Sequence, residues 1–130
     1  MYVLDTNSVV YFFKGMGRVT QRLLDTPPRE IAFPAVVLYE LELGIAKSSS
    51  PERRRSQLDE LVRRINLLPF GSSEAKVTAR IRADLERAGE PIGPLDVLIA
   101  GTALAHGATL VTHNVKEFSR VGGLLVEDWY

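Results

Sequence analysis

The sequence predicts an α/β domain built around a buried parallel sheet, and two observations predict it. Short apolar runs alternate with longer segments of helical periodicity, the pattern of strands that pair in parallel through crossover helices. No repeat, low-complexity stretch or linker interrupts the 130 residues, so a single domain spans 1–130.

The elements follow in order. Tyr2 to Leu4 is a first buried strand; Asp5-Thr6-Asn7 ends it, and a helix follows over Ser8 to Phe13. Lys14-Gly15-Met16-Gly17 breaks that helix, and Arg18 to Asp25 offers a short second one before the breaker Thr26-Pro27-Pro28. Ile31-Ala32-Phe33 is a second strand, and Pro34 suits the first turn of a helix running to about Lys47. Within Ser48-Ser49-Ser50-Pro51 a serine is suited to cap the next helix, Glu52 to Asn66, whose Leu58, Leu61, Val62 and Ile65 form one stripe. Leu67 to Phe70 is a third strand. Ser72 or Ser73 caps a long helix, Glu74 to Ala88, that Gly89 ends. Gly93-Pro94 opens a very apolar helix to His106, closed by Gly107; Thr109 to Val111 and Leu124 to Glu127 complete the sheet.

Composition narrows the chemistry. The chain has no cysteine, which excludes disulfides and thiolate metal sites, and only two histidines, His106 and His113. A metal would be held mainly by oxygen, which selects a hard ion such as Mg²⁺ or Mn²⁺. Sixteen basic residues balance sixteen acidic ones, so no general positive field coats nucleic acid. Twelve of the bases are arginine, the better bidentate partner for phosphate. No apolar run reaches the roughly 18 residues of a membrane helix. The start, Met1-Tyr2-Val3-Leu4-Asp5, lacks the basic and apolar regions of a signal peptide, so a cytoplasmic protein is expected.

Open parallel sheets place their sites at the carboxyl ends of strands, near the point where strand order reverses. Asp5 and Thr112-His113-Asn114 both stand at such ends. Asp96 lies one turn inside an apolar helix, where a buried acid needs a partner, and Glu40 lies mid-helix. Each acid also has a plain structural reading. Asp5 is fitted to cap the next helix, and Asp96 sits at an N3 position favoured by the helix dipole. Glu42 is about 200° around the helix from Glu40, both have apolar neighbours, and periodicity does not choose between them. His106 suits the carbonyl end of its helix, whereas His113 lies in a loop that carries chemistry in such folds. The basic run Arg53-Arg54-Arg55, with Arg63 and Arg64, reads first as a solvated helix face and second as a contact for RNA or a protein partner.

These residues resemble a known family. Val3-Leu4-Asp5-Thr6-Asn7 is similar to the opening of PIN domains, and Glu40-Leu41-Glu42-Leu43-Gly44 to the Glu-Leu-x-x-Gly helix of VapC-type toxins. Ile92-Gly93-Pro94-Leu95-Asp96 resembles the family's third acidic motif; Thr109-Leu110-Val111-Thr112-His113-Asn114 through Phe118, then Gly123 to Trp129, resembles its C-terminal block. The resemblance implies a three-layer α/β/α sandwich with a five-stranded parallel sheet, a Mg²⁺ or Mn²⁺ site, and cleavage of single-stranded or loop RNA, in transfer or ribosomal RNA. It implies a cognate VapB-like antitoxin, a homodimer, and a heterotetramer or larger assembly with that antitoxin. It chooses Glu40 over Glu42 for the site. Asn114 stands where many members carry aspartate, and Glu117 is the nearest acid able to substitute.

On this reading Asp5 and Asp96 are direct metal ligands, Glu40 binds directly or through water, and the fourth catalytic position falls to Asn114 or, directly or through water, to Glu117. Thr6, Asn7 and Thr112 are the surrounding donors. The alternative is a non-catalytic PIN-type domain that binds a partner or RNA. A response-regulator receiver would need an aspartate after strand three, where Leu67-Leu68-Pro69-Phe70-Gly71 has none. A haloacid-dehalogenase-type phosphatase would need Asp-x-Asp at strand one, where Asn7 stands second.

Overall fold

A computed structural model describes residues 1–130. Five strands, β1 (Tyr2–Leu4), β2 (Ile31–Pro34), β3 (Asn66–Leu68), β4 (Thr109–Val111) and β5 (Leu125–Glu127), form one sheet in the order β3-β2-β1-β4-β5. Every neighbouring pair is parallel, with Val3 opposite Ala32 on one side and Leu110 on the other. Seven helices connect them: α1 (Thr6–Lys14), α2 (Val19–Leu24), α3 (Ala35–Ala46), α4 (Glu52–Arg64), α5 (Ser72–Arg87), α6 (Pro94–Ala105) and α7 (Val115–Phe118). In a parallel sheet of this order, the usual right-handed crossover puts the connections toward β3 over one face and those toward β5 over the other, the three-layer sandwich. No helix is long and apolar enough to cross a membrane.

Central strands covered on both faces must be apolar throughout, and these are. Val3, Leu4, Ala32, Phe33, Leu110 and Val111 are fully buried. The edge strands β3 and β5 relax that demand and leave Leu67 and Leu125 exposed. The strand order reverses between β1 and β4, so the carboxyl ends of those two strands, Asp5 and Thr112, flank the natural crevice of the sheet.

Local chemistry departs from expectation at the helix starts. α1 begins at Thr6 rather than Ser8, because Asp5 caps it: its Oδ1 accepts the Ser8 N–H at 2.8 Å. Neither expected serine caps a helix. Pro51 precedes α4 with no side-chain cap, and Ser72 is already helical. At α5 the Glu74 carboxylate instead accepts the Gly71 N–H at 2.8 Å. Val62 falls outside the apolar stripe of α4 and is exposed, while Leu58 and Leu61 are buried.

The apolar α6 is held in place chiefly by α5. Gly101 lies directly against Thr78, where an added Cβ would stand 1.8 Å from Oγ1 and 2.9 Å from Cα. That contact sets the helix spacing. At the far end His106 Nε2 meets Glu74 Oε2 at 3.1 Å, so the histidine ties the end of α6 to the start of α5. The Gly71 N–H, the first cause, and the His106 charge hold Glu74 below the usual carboxylate range.

Candidate active site

Asp5 has two roles in one position. One carboxylate oxygen caps α1, and the other accepts the Thr112 hydroxyl at 2.6 Å across the β1–β4 boundary. Its own N–H donates to Val111 O at 3.1 Å. Burial nevertheless dominates, and Asp5 titrates above the ordinary aspartate value despite the hydrogen bonds from Thr112 and Ser8. Ser8 escaped sequence reasoning. It is buried, its N–H holds Asp5, and its hydroxyl donates to Val111 O at 3.1 Å, so it pins both strand ends. The signal available was the N-cap spacing of Asp5 and Ser8, three residues apart.

The structure separates the two glutamates. Glu40 turns toward the start of α1 and accepts the Thr6 hydroxyl at 2.7 Å. Glu42 points to α4 and accepts both guanidinium nitrogens of Arg55. The Arg55 hydrogen bonds hold Glu42 below the ordinary glutamate value. Glu42→Gln should therefore leave any activity of the site within about twofold. It should lower stability by less than about 1 kcal/mol, as for other exposed ion pairs, a difference that a denaturant titration reads.

Asp96 occupies N3 of α6, as the sequence placed it, and makes no capping hydrogen bond. The Gly93 N–H goes to Glu117 Oε1 at 3.3 Å rather than to Asp96. Burial, then the negative charges of Glu117, Glu40 and Asp5, push Asp96 up to about 6. That ordering places all four acids within one electrostatic neighbourhood. Glu117 also accepts the Asn114 amide at 2.5 Å, and the Asn114 N–H donates to Thr112 Oγ1 at 3.0 Å. Asn114 and Glu117 thus form a linked pair between β4 and α6. Asn7 is exposed and makes no side-chain hydrogen bond to these acids; Thr6 and Thr112 do.

The basic run lies elsewhere. Arg55 pairs with Glu42 and Asp59, Arg54 lies over the Phe13 ring at 5.3 Å and donates to Gln57, and Arg63 and Arg64 both pair with Glu60. The solvated-face reading accounts for these contacts.

The donor set suits a hard divalent cation. It is oxygen throughout, and Asp96, pushed up to about 6 first by burial and then by the neighbouring acids, carries a charge that a cation would stabilise. No three acid, histidine or cysteine side chains stand close enough to cage an ion. Mg²⁺ does not need a cage, since it keeps several waters and takes one or two carboxylates plus phosphate.

The chain resembles known proteins over almost its whole length. A family model described as PIN domain matches residues 2–124. The chain is 38% identical over 128 residues to the tRNA(fMet)-specific endonuclease VapC of Shigella flexneri, covering 98% of this chain and 97% of the relative. Among solved structures, DNA-bound VapBC from Salmonella typhimurium superimposes with a TM-score of 0.93 at 35% identity, covering 99% of this chain and 98% of that one. VapBC2 from Rickettsia felis, bound to a DNA fragment from its promoter, gives 0.92 at 37% identity over 99% and 98%.

Proposed function

The chain belongs to the PIN domain family, and from that premise we propose that it is a Mg²⁺- or Mn²⁺-dependent endoribonuclease toxin that cuts loop or single-stranded RNA and is neutralised by a VapB-like antitoxin. The observation that carries the reading is the β1–β4 reversal, where Ser8 and Thr112 hold the Asp5 carboxylate and the Asn114–Glu117 pair ties the end of β4 to the start of the helix that bears Asp96. Transfer RNA is the first substrate to try, because relatives at 38% and 34% identity are tRNA(fMet)-specific endonucleases. A homodimer, joined with antitoxin into a heterotetramer or larger assembly, is the form proposed for the cell.

The residues divide the work as follows. Asp5 and Asp96 are the proposed ligands, with Glu40 binding directly or through water. Asp5 is fixed by Ser8 and Thr112, so it needs no reordering to bind. Thr6 orients Glu40, leaving its second carboxylate oxygen free for water or a cation. Asn114 contributes one fewer negative charge than an aspartate and holds Glu117 in place through its amide. When bound, the cation would offset charge developing on the scissile phosphate and activate a water. A flexible single strand brings its backbone to acids set at the ends of strands more readily than a duplex.

Metal binding should be visible without substrate. Saturation at about a hundred times Kd adds about 2.7 kcal/mol of stability. Asp96 must lose its proton to serve as a ligand, and it titrates near 6, so the gain should be full above that pH and fade below it. Melts with Mn²⁺ at about pH 7.5 and about pH 5 measure this linkage. An equal shift at both would remove Asp96 from the site.

The substrate itself is found by brief induction in bacteria followed by sequencing of RNA ends. New ends at one or a few loop positions, absent with Asp96→Asn, are expected. A folded chain that creates none would leave the non-catalytic, partner-binding reading in its place.

A further inference from the structure

Beside the acids lies a cluster of rings that the proposed chemistry does not use. His113 follows Thr112, the residue whose hydroxyl holds Asp5 at 2.6 Å. Its imidazole stacks on the Tyr130 ring, with centroids 4.3 Å apart and planes 24° from parallel. Tyr11 braces both at steep angles, 4.9 Å from Tyr130 and 6.1 Å from His113. Asp128 fixes the pair, taking the His113 Nδ1 contact at 2.9 Å on one oxygen and the Tyr130 N–H at 2.8 Å on the other.

The main chain adds a second clamp. Arg18 N–H donates to Tyr130 O at 3.0 Å, and Gly17 at φ 63° lets the turn press so close that a Cβ would stand 2.6 Å from that oxygen. Yet the rings so firmly held are not buried. The His113 side chain is 49% exposed and Tyr130 is 40% exposed. A core contact would hide them, whereas these two rings are fixed in orientation and left open.

We propose that the His113–Tyr130 stack is a platform for one unpaired nucleobase of the RNA next to the cut. The proposal rests on the endoribonuclease reading and adds a substrate-positioning element to it. Unstacked bases in single strands find their recognition on aromatic and imidazole faces, and stacking tolerates any base because each has a π-face. A base seated there would hold the adjoining phosphate near Asp5 and Asp96, so the platform is a positioning element rather than a catalytic one. A ring pair already ordered by Asp128 and the Gly17 turn loses little entropy on binding.

The test is a cycle that combines protein and RNA changes. The probe is a synthetic single-stranded RNA spanning the cut that end sequencing locates, in wild-type form and with single abasic sites on either side. At one flanking position the abasic change should raise wild-type KM roughly tenfold, about 1.4 kcal/mol, with kcat altered less than about threefold. Tyr130→Leu should raise KM on intact RNA by the same roughly tenfold factor. On the abasic RNA that variant should cost nothing further, and Tyr130→Phe should behave as wild type. Melting curves establish that each variant is folded. Additive losses, or abasic sites without effect on wild type, would overturn the platform while leaving the nuclease intact. Absence of any wild-type cut would instead remove the parent reading, and the platform with it.

Discussion

Asp96→Asn should abolish RNA cleavage and at the same time make the metal-free protein more stable. The loss of a direct cation ligand is expected to cost about three orders of magnitude in rate, roughly 4 kcal/mol of transition-state stabilisation. The gain has a separate cause. Asp96 is half-buried, accepts no capping bond from Gly93, and stands in the field of Glu117, Glu40 and Asp5. Its native titration point, about 6, lies above the ordinary 3.8, so the native state binds more protons than the unfolded chain between those values. Stability therefore falls as pH rises through that window and stays lower above it. Removing the charge should return roughly 1–2 kcal/mol at neutral pH, once solvent screening is allowed for. Below about pH 4 wild type and variant should melt alike. A purely structural aspartate predicts the opposite sign: a less stable variant at neutral pH.

Gly101→Ala should destabilise the fold severely. The new Cβ would meet Thr78 at Oγ1, Cβ and Cα, at 1.8, 2.7 and 2.9 Å. Rotating the hydroxyl away relieves only the first of these contacts, so α5 and α6 must part. Overpacking of this kind costs about 3 kcal/mol or more when backbone has to move. Thr78 Oγ1 is itself buried without a hydrogen-bond partner, so Thr78→Ala should be tolerated, but because Cβ and Cα stay in place it should rescue little of the double variant. Because α6 carries Asp96, the Gly101 variant should also weaken metal binding in whatever fraction stays folded. Chemical denaturation of the four proteins in the cycle measures the coupling.

Much of this was legible in the residues. The strands could be read because a sheet covered on both faces demands unbroken apolar runs, and Tyr2 to Leu4 and Thr109 to Val111 supply them. Strand ends then pointed to Asp5 and Thr112. Glu40 against Glu42 was not decidable from periodicity, since both had apolar neighbours; Thr6 and Arg55, distant in sequence, separate them in space. The serine caps failed because Pro51 and Glu74 gave the helix starts other solutions. Ser8 was missed because its contact to Val111 spans a strand boundary no local pattern records. The same holds for the link from Asn114 through Glu117 to Gly93, which needs the four-residue α7 to bring β4 and α6 together.

The acids near the β1–β4 reversal are proposed to hold a divalent cation on which RNA cleavage depends. The most direct measurement is cleavage of the RNA identified by end sequencing, using purified protein with Mn²⁺, with chelator, and with Asp5→Asn in Mn²⁺. Cleavage in the first reaction alone is the predicted result. Equal cutting in chelator, or by the Asp5 variant, would contradict the account.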